Sequence, residues 1–241
     1  MQLTFVIWDH LLLIGLGSAV LLWWWQFPRM KRADAAGVAG VRLRYYAVEI
    51  VPLWLLSAGV IALWIALRRP WSGLLLGGSA PWRVALGWAL AVAYVWLSLS
   101  QRRLFLARPE RLVRIMKSFQ SLAPILPRTP GERRGFAALS ITAGICEELM
   151  FRGFVLWYAT AVAGPVVGFL VSSAFFGVMH LYLGAKEIPR TAMAGIFFYI
   201  VAVTAGSLLP AMVCHVVADL VSGDLGYRAL TAEAMPASAS A

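Results

Sequence analysis

Six ionisable residues lie inside apolar stretches in the second half of the chain. They are Glu147, Glu148, Arg152, His180, His215 and Asp219. A charged group at the centre of a membrane helix costs at least ~2.5 kcal/mol on insertion scales, so such residues are functional candidates. Carboxylates and imidazoles can exchange protons, bind a metal ion or line an ion pathway. Because a helix bundle does not need so many costly groups merely to pack, the set favours a functional site.

The two adjacent glutamates face different directions in an α-helix. Glu148 and Arg152 are four residues apart, which places them on one helix face and predicts an ion pair. Glu147 is rotated by about 100° from Glu148. It cannot point at the same arginine, so we expect its carboxylate to be free.

The two histidines each share a helix face with a second residue. His215 and Asp219 are four residues apart, as are Phe176 and His180. With a rise of about 1.5 Å per residue, depths can be measured from the cytoplasmic end of each span. Glu147 lies at about 16 Å, His215 and Asp219 at about 14 to 20 Å, and His180 at about 8 Å. If successive helices enter from alternate sides, these depths are compatible. We therefore expect the side chains to converge in a cavity that opens toward the cytoplasm.

The composition places these residues in a membrane protein. Hydrophobic residues make up 61% of the 241-residue chain and charged residues 13%, against roughly 45–50% and 25% in soluble domains. Mean hydropathy is +0.78. The net charge of +10 would suggest nucleic-acid binding in a soluble protein, but the basic residues form short runs between apolar segments. They indicate topology signals and contacts with anionic lipids, with no nucleic-acid partner.

The apolar stretches predict an all-α, polytopic transmembrane helix bundle. A bilayer core of about 30 Å requires about 20 apolar residues in a helix. Seven segments qualify, with Gly164, Pro165, Pro189 and Pro210 as breaks between the later ones: residues 3–25, 46–67, 82–100, 136–161, 165–181, 191–207 and 208–221. An eighth segment at residues 119–126, interrupted by Pro124, is an alternative as a re-entrant or surface helix.

The basic residues predict the orientation. Outside the spans, 17 Lys and Arg residues fall on one side and 3 on the other, and basic loops stay in the cytoplasm. We expect the N-terminus outside and the C-terminus in the cytoplasm of a multi-pass protein of the bacterial inner membrane. The expected organisation is a group of N-terminal helices and basic loops (1–135), a catalytic core (136–226) and a disordered tail (227–241), forming one membrane domain.

Other residues in the spans favour structural roles. The run from Trp23 to Trp25 is typical of an interfacial aromatic belt. Asp9 and His10 lie away from the cluster in sequence, and Glu49 is one turn into its span, from which it can reach the interface. The two cysteines, Cys146 and Cys214, each precede a motif residue and point about 100° away from it, as packing residues do.

The motifs together resemble those of a known family. Glu147-Glu148-x-x-x-Arg152, Phe176-x-x-x-His180 and His215-x-x-x-Asp219 occur in that order on separate spans. They are similar to the motifs of the CAAX protease and bacteriocin-processing (CPBP) family. Its members are intramembrane glutamic endopeptidases related to the type II CAAX prenyl endopeptidase. The resemblance covers residues 136–224, and Asp219 stands where relatives often have Asn.

The resemblance implies a role for each motif residue. Glu147 would be the general base, and His180 would help to hold and polarise the water that attacks a peptide carbonyl. His215 would donate to the oxyanion, with Asp219 orienting its ring. The pair of Glu148 and Arg152 would fix Glu147, with Phe176 as a supporting residue.

The residues leave two alternative functions open. Two histidines and a glutamate form a known catalytic zinc set, although the chain has no His-Glu-x-x-His; the resemblance implies that no cofactor is needed. A transporter or immunity-type membrane protein is the non-enzymatic alternative, but we find no internal repeat of the transporter kind. The expected partners are the lipid bilayer and a peptide or protein substrate, lipidated or membrane-anchored, cleaved near its C-terminus or next to the membrane.

Overall fold

The computed structural model describes residues 5–108, 110–112 and 120–233, and within these ranges the chain consists of helices joined by turns and short connections, without strands. Seven α-helices have both ends within the described ranges: α1 (Ile7–Ala35), α2 (Val41–Ala66), α3 (Pro81–Leu106), α4 (Pro130–Glu148), α5 (Leu156–Met179), α6 (Glu187–Ala205) and α7 (Leu209–Glu233). Short 3₁₀ turns occur at Trp71–Leu74 and Leu181–Leu183, and a π-helical segment, Leu149–Val155, joins α4 to α5.

The helices are long and apolar enough to cross a membrane. Six continuous helical stretches meet this criterion among the described residues. Large apolar side chains also cover the outside of the bundle, including Trp82, Val92 and Trp96 on α3, each more than 60% exposed. An apolar surface of this extent is expected for lipid contact. The protein is therefore an integral, multi-pass membrane protein with an all-α fold, as predicted.

One of these stretches folds back on itself. Pro130–Leu183 contains 54 residues, more than twice the number that one span needs. At Gly164 the backbone has φ +87° and ψ 170°, a conformation that glycine adopts without steric cost. The Ser172 hydroxyl donates to the Phe151 carbonyl at 2.8 Å, although 21 residues in a straight helix would separate them by about 31 Å. Residues 165–179 therefore run antiparallel to the π-helical segment, as the Gly164-Pro165 break predicts.

The N-terminus of α4 is defined by its sequence. The Thr129 hydroxyl accepts a hydrogen bond from the Glu132 backbone N–H at 3.1 Å, and the Glu132 carboxylate accepts one from the Thr129 N–H at 3.2 Å. Pro130 occupies the first turn. This capping box satisfies backbone donors that a helix start would leave unpaired.

The bundle centre brings the motif helices together. Helix α4 packs between α2 and α7, while α6 contacts α3, α5 and α7. A glycine allows the closest approach: a Cβ atom at Gly144 would lie 2.8 Å from the backbone nitrogen of Val216. Because Gly144 is one turn before the glutamate pair and Val216 follows His215, this contact brings the two motifs together.

Helix α1 is joined to the α2–α3 connection by a buried ion pair. Both oxygens of Asp9 accept from the Arg69 guanidinium, at 2.6 and 2.7 Å. Asp9 is fully buried, and its carboxylate also accepts from the Val6 N–H at 2.9 Å. At the same end of the bundle, His10 Nδ1 lies 2.7 Å from the Tyr158 hydroxyl.

Two predictions about the connecting segments are wrong in part. Of the alternative helix at 119–126, Phe119 lies outside the described residues, and residues 120–126 form turns. The disordered tail was predicted from residue 227, but α7 continues to Glu233. This extension has a packing reason, since Leu225 and Ala229 are buried, and Ala229 lies against Leu126. Residues 234–241 lie outside the described ranges.

Candidate functional site

The glutamate pair lies where α4 changes to π-helical geometry. The π-helix covers Leu149–Val155, and such segments are frequent at functional sites. The predicted ion pair is nevertheless made: Arg152 Nη1 lies 2.8 Å from Glu148 Oε1, and both side chains are fully buried. The altered helix winding therefore does not separate the pair.

Arg152 connects three helical elements. Its Nη2 donates to the Gly195 carbonyl of α6 at 2.9 Å. The guanidinium also lies over the Phe176 ring of α5, 4.1 Å from its centroid, a geometry that attracts a cation. Phe176 thus supports the arginine as well as the histidine one turn later. The π-helical segment is tied to α5 and α6 by one side chain.

His215 is oriented by Glu148. Its Nδ1 donates to Glu148 Oε1 at 2.9 Å, because a carboxylate can only accept. The ring stacks on Phe198 at a centroid distance of 4.7 Å and an interplanar angle of 14°. The resemblance had implied that Asp219 would orient this ring. In the structure Asp219 Oδ2 instead lies 3.8 Å from Nε2, beyond hydrogen-bond distance.

Glu147 has no hydrogen-bonding partner for one of its oxygens. Its Oε2 is buried and unpartnered among the described residues, and His215 Nε2 lies 3.9 Å from it. The side chain is 13% exposed. The prediction that Glu148 pairs with the arginine while Glu147 stays free of it matches this geometry.

His180 presents one nitrogen toward the same region. Its Nδ1 lies 2.9 Å from the Phe176 carbonyl. Since a carbonyl only accepts, Nδ1 carries a proton and donates, which leaves the Nε2 of a neutral ring as an acceptor. The ring also contacts Phe176 at a centroid distance of 5.1 Å.

A cavity of about 150 Å³ joins these groups. Glu147, His180, His215 and Asp219 all line it. The cavity is large enough to hold several water molecules, since one water occupies about 30 Å³ in the liquid. The structure thus places the four predicted catalytic residues around one space, with Glu148, Arg152 and Phe176 packed behind them.

Part of the cavity wall consists of residues that were not expected there from the sequence. Glu49 was expected to reach the interface, but it is only 7% exposed and lines the cavity. Trp23 was assigned to an aromatic belt, yet it is 6% exposed and also lines the cavity, whereas Trp24 and Trp25 are 61% and 52% exposed. The spacing of Tyr45 and Glu49, one helical turn apart, is the only sequence signal for this wall.

The segment 120–127 lies at the end of the bundle where α2 and α4 begin. Leu122 and Ile125 line the cavity. The Tyr46 hydroxyl donates to the Ile125 carbonyl at 2.6 Å, and Arg42 Nε donates to the Pro124 carbonyl at 3.0 Å. These bonds position the segment over the cavity and pair its buried backbone oxygens.

The remaining candidates have simpler environments. Cys146 and Cys214 are buried with free thiols and belong to the main hydrophobic cluster. In the part of the chain that the structure describes, no three His, Cys, Asp or Glu side chains are arranged as a group that could hold a metal ion.

Comparison with known families agrees with the motifs. The family model for type II CAAX prenyl endopeptidase Rce1-like proteins matches residues 132–221. The matched segment is similar to this Rce1-like family. It begins in α4 and ends in α7, so it contains all the motif residues and supports a CAAX-type intramembrane peptidase in general. No curated protein and no solved structure matches the chain significantly.

Proposed function

We propose that this protein hydrolyses a peptide bond within the membrane, using a water molecule activated by Glu147 and His180. The observation that carries the proposal is the unpartnered Glu147 oxygen on a cavity that His180 also lines. A buried acceptor without a partner is costly, and a water in the cavity would satisfy it. The match to the Rce1-like family supports the same class of reaction.

In the proposed reaction, Glu147 accepts one proton of the water while the water oxygen attacks the peptide carbonyl carbon. The Nε2 lone pair of His180 accepts a hydrogen bond from the second water proton and orients the oxygen. After the tetrahedral intermediate forms, Glu147 returns its proton to the amide nitrogen. The C–N bond then breaks, releasing a carboxylate and an amine.

His215 would stabilise the oxyanion. Its Nδ1 proton is used toward Glu148, so donation to the oxyanion requires a second proton on Nε2. Carboxylate oxygens of Glu147, Glu148 and Asp219 lie 2.9–3.9 Å from the ring nitrogens and would compensate an imidazolium charge. The Asp219 side chain is the most exposed of the three, at 37%, so its position is the least fixed by packing.

The proposed substrate is a peptide segment close to the membrane. The cavity has apolar walls in addition to its polar groups, and an unfolded segment must enter it. A lipidated or membrane-anchored chain would hold its cleavage site, near the C-terminus or next to the anchor, at the required depth. This placement would raise the local substrate concentration without any specific contact.

We further propose seven membrane spans, since the hairpin at Gly164 divides the 54-residue stretch into two. With the basic loops retained in the cytoplasm, the N-terminus lies outside and the cavity opens toward the cytoplasm of a bacterial inner membrane. Reporter fusions after residues 38 and 164 test this orientation, with cytoplasmic and outside locations expected respectively.

A peptide-cleavage assay in lipid vesicles tests the proposed activity. Wild-type protein is incubated with membrane-anchored peptide libraries, and the products are identified by mass spectrometry. Glu147→Gln should lower the rate by about 10²- to 10⁴-fold, the usual contribution of a general base. The exposed Glu110 provides the matched control, and Glu110→Gln should cleave at the wild-type rate. Wild-type cleavage by Glu147→Gln would disprove the assignment.

Chelation distinguishes this mechanism from the zinc alternative. With a water activated by Glu147 and His180, activity should survive dialysis against a chelator, and metal analysis should find no stoichiometric zinc. Loss of cleavage that added zinc restores would instead make His180, His215 and a glutamate candidate ligands.

A further inference from the structure

The cavity has a second polar wall, formed by α1 and α2, that the proposed mechanism does not use. It consists of Trp23 on α1 and of Tyr45 and Glu49 on α2, and all three residues line the cavity. They are 6%, 5% and 7% exposed. We call these three residues the α1–α2 wall.

Each residue of the α1–α2 wall has a buried polar atom without a hydrogen-bond partner in the described structure. These atoms are Trp23 Nε1, Tyr45 Oη and Glu49 Oε1. The Tyr45 hydroxyl and the Trp23 indole lie within reach of the Glu49 carboxyl group, but Trp23 Nε1, Tyr45 Oη and Glu49 Oε1 have no hydrogen bond of good geometry among the described residues. Most buried polar groups in folded proteins are paired, so three unpaired groups on one cavity wall indicate a ligand.

The chemistry of the three atoms identifies the class of ligand. An indole N–H can only donate, an ionised carboxylate can only accept, and a phenol can do both. A cationic side chain would suit Glu49 but would meet the indole N–H of Trp23 as a second donor. One residue of an extended peptide presents its backbone C=O and N–H on the same side, one acceptor and one donor, and it matches the mixed set.

A substrate in this cavity would need such partners. An extended segment taken out of water leaves its N–H and C=O groups unpaired unless the protein pairs them. Glu147 and His215 lie on the same cavity, so a peptide group at the α1–α2 wall would be close to the bond being cleaved.

We infer that Trp23, Tyr45 and Glu49 bind the backbone C=O and N–H of one extended substrate residue next to the scissile bond, with Trp23 donating to the C=O and Glu49 accepting from the N–H. This inference rests on the proposed peptidase function. It assigns substrate binding to the N-terminal helices, outside the family-matched segment.

The test uses a peptide that the wild-type protein cleaves and ester analogues of it, each with one backbone N–H replaced by oxygen. One ester position near the scissile bond should lower kcat/KM by about 3- to 10-fold, as expected for losing one hydrogen bond. In Glu49→Leu the all-amide peptide should show the same loss, mainly through KM. The ester should then cause no further decrease.

Conservative variants separate binding from folding. Glu49→Gln keeps a carbonyl acceptor and should recover part of kcat/KM. Trp23→Phe removes the N–H but keeps a ring and should raise KM several-fold, since it loses one hydrogen bond to the substrate. The matched control is Trp24→Phe at the neighbouring, 61% exposed position, which should have wild-type kinetics.

Three results would overturn the inference. In the first, the ester and Glu49→Leu losses multiply, because the two groups then do not interact. In the second, Glu49→Leu affects only peptides that carry Lys or Arg, which would make a basic side chain the ligand. In the third, the loss of kcat/KM in every variant equals the loss of folded protein, which would mean that the α1–α2 wall has only a structural role. Failure of the proposed function is recognised separately, by wild-type cleavage in Glu147→Gln.

Discussion

Removing the charge of Glu148 should destabilise the protein more than removing the charge of Glu147. Glu148 Oε1 accepts from both Arg152 at 2.8 Å and His215 at 2.9 Å. Glu148 and Arg152 are fully buried, and His215 is 5% exposed. In Glu148→Gln the arginine becomes a buried cation without its counter-charge, although its bond to the Gly195 carbonyl remains.

The expected magnitude follows from burial. Breaking one side of a buried ion pair costs about 3–5 kcal/mol. For a chain of this length, each kcal/mol lowers Tm by roughly 2–4 °C, so Glu148→Gln should melt about 6–20 °C below wild type. Glu147 Oε2 has no hydrogen bond to lose. Glu147→Gln should therefore stay within about 0.5–1 kcal/mol of wild type while being nearly inactive.

Thermal unfolding in detergent, followed by tryptophan fluorescence, measures both variants beside their cleavage rates. The double variant Glu148→Gln/Arg152→Met provides a further check, because it removes the unpaired cation and keeps an amide oxygen for His215. It should melt above Glu148→Gln alone. Equal melting temperatures for the two single glutamate variants would refute the reasoning. A stable, inactive Glu148→Gln beside an active Glu147→Gln would show that Glu148 is the base.

Three further variants test other contacts. Asp9→Asn leaves Arg69 without its bidentate partner and should lower Tm by several degrees, with little change in cleavage rate at low temperature; normal melting would contradict the buried pair. Gly144→Val should clash with the backbone of α7 at a cost of about 1–3 kcal/mol, and cleavage at the wild-type rate would show that the helices need not approach so closely. Phe198→Leu removes the ring stacked on His215, a contact of about 0.5–1.5 kcal/mol; kcat should fall several-fold with a small Tm change, and an unchanged kcat would show that stacking does not position the histidine.

The sequence alone was sufficient for the properties that depend on local spacing and composition. Its apolar content required a membrane, and uninterrupted apolar runs required helices, because backbone groups in hydrocarbon must pair within the segment. The Gly164-Pro165 break predicted the reversal of the chain. The ordered motifs predicted the family, which the match to residues 132–221 confirms. The ion pair of Glu148 with Arg152 also followed from spacing alone.

Tertiary structure decided which side chains face the cavity. In a membrane helix both the lipid-facing and the core-facing sides are apolar, so hydrophobicity does not show which face is buried. Trp23 and Trp24 are adjacent and chemically identical, yet only Trp23 turns inward. Glu49 was expected at the interface for the same reason.

The hydrogen-bonding partner of His215 likewise depends on the tertiary structure. Its spacing to Asp219 permits a contact on one helix, but the ring nitrogen instead reaches Glu148 on another helix. Gly144 makes this possible by allowing α4 and α7 to approach. A helical repeat predicts which residues share a face, whereas the residue opposite that face depends on how two helices pack.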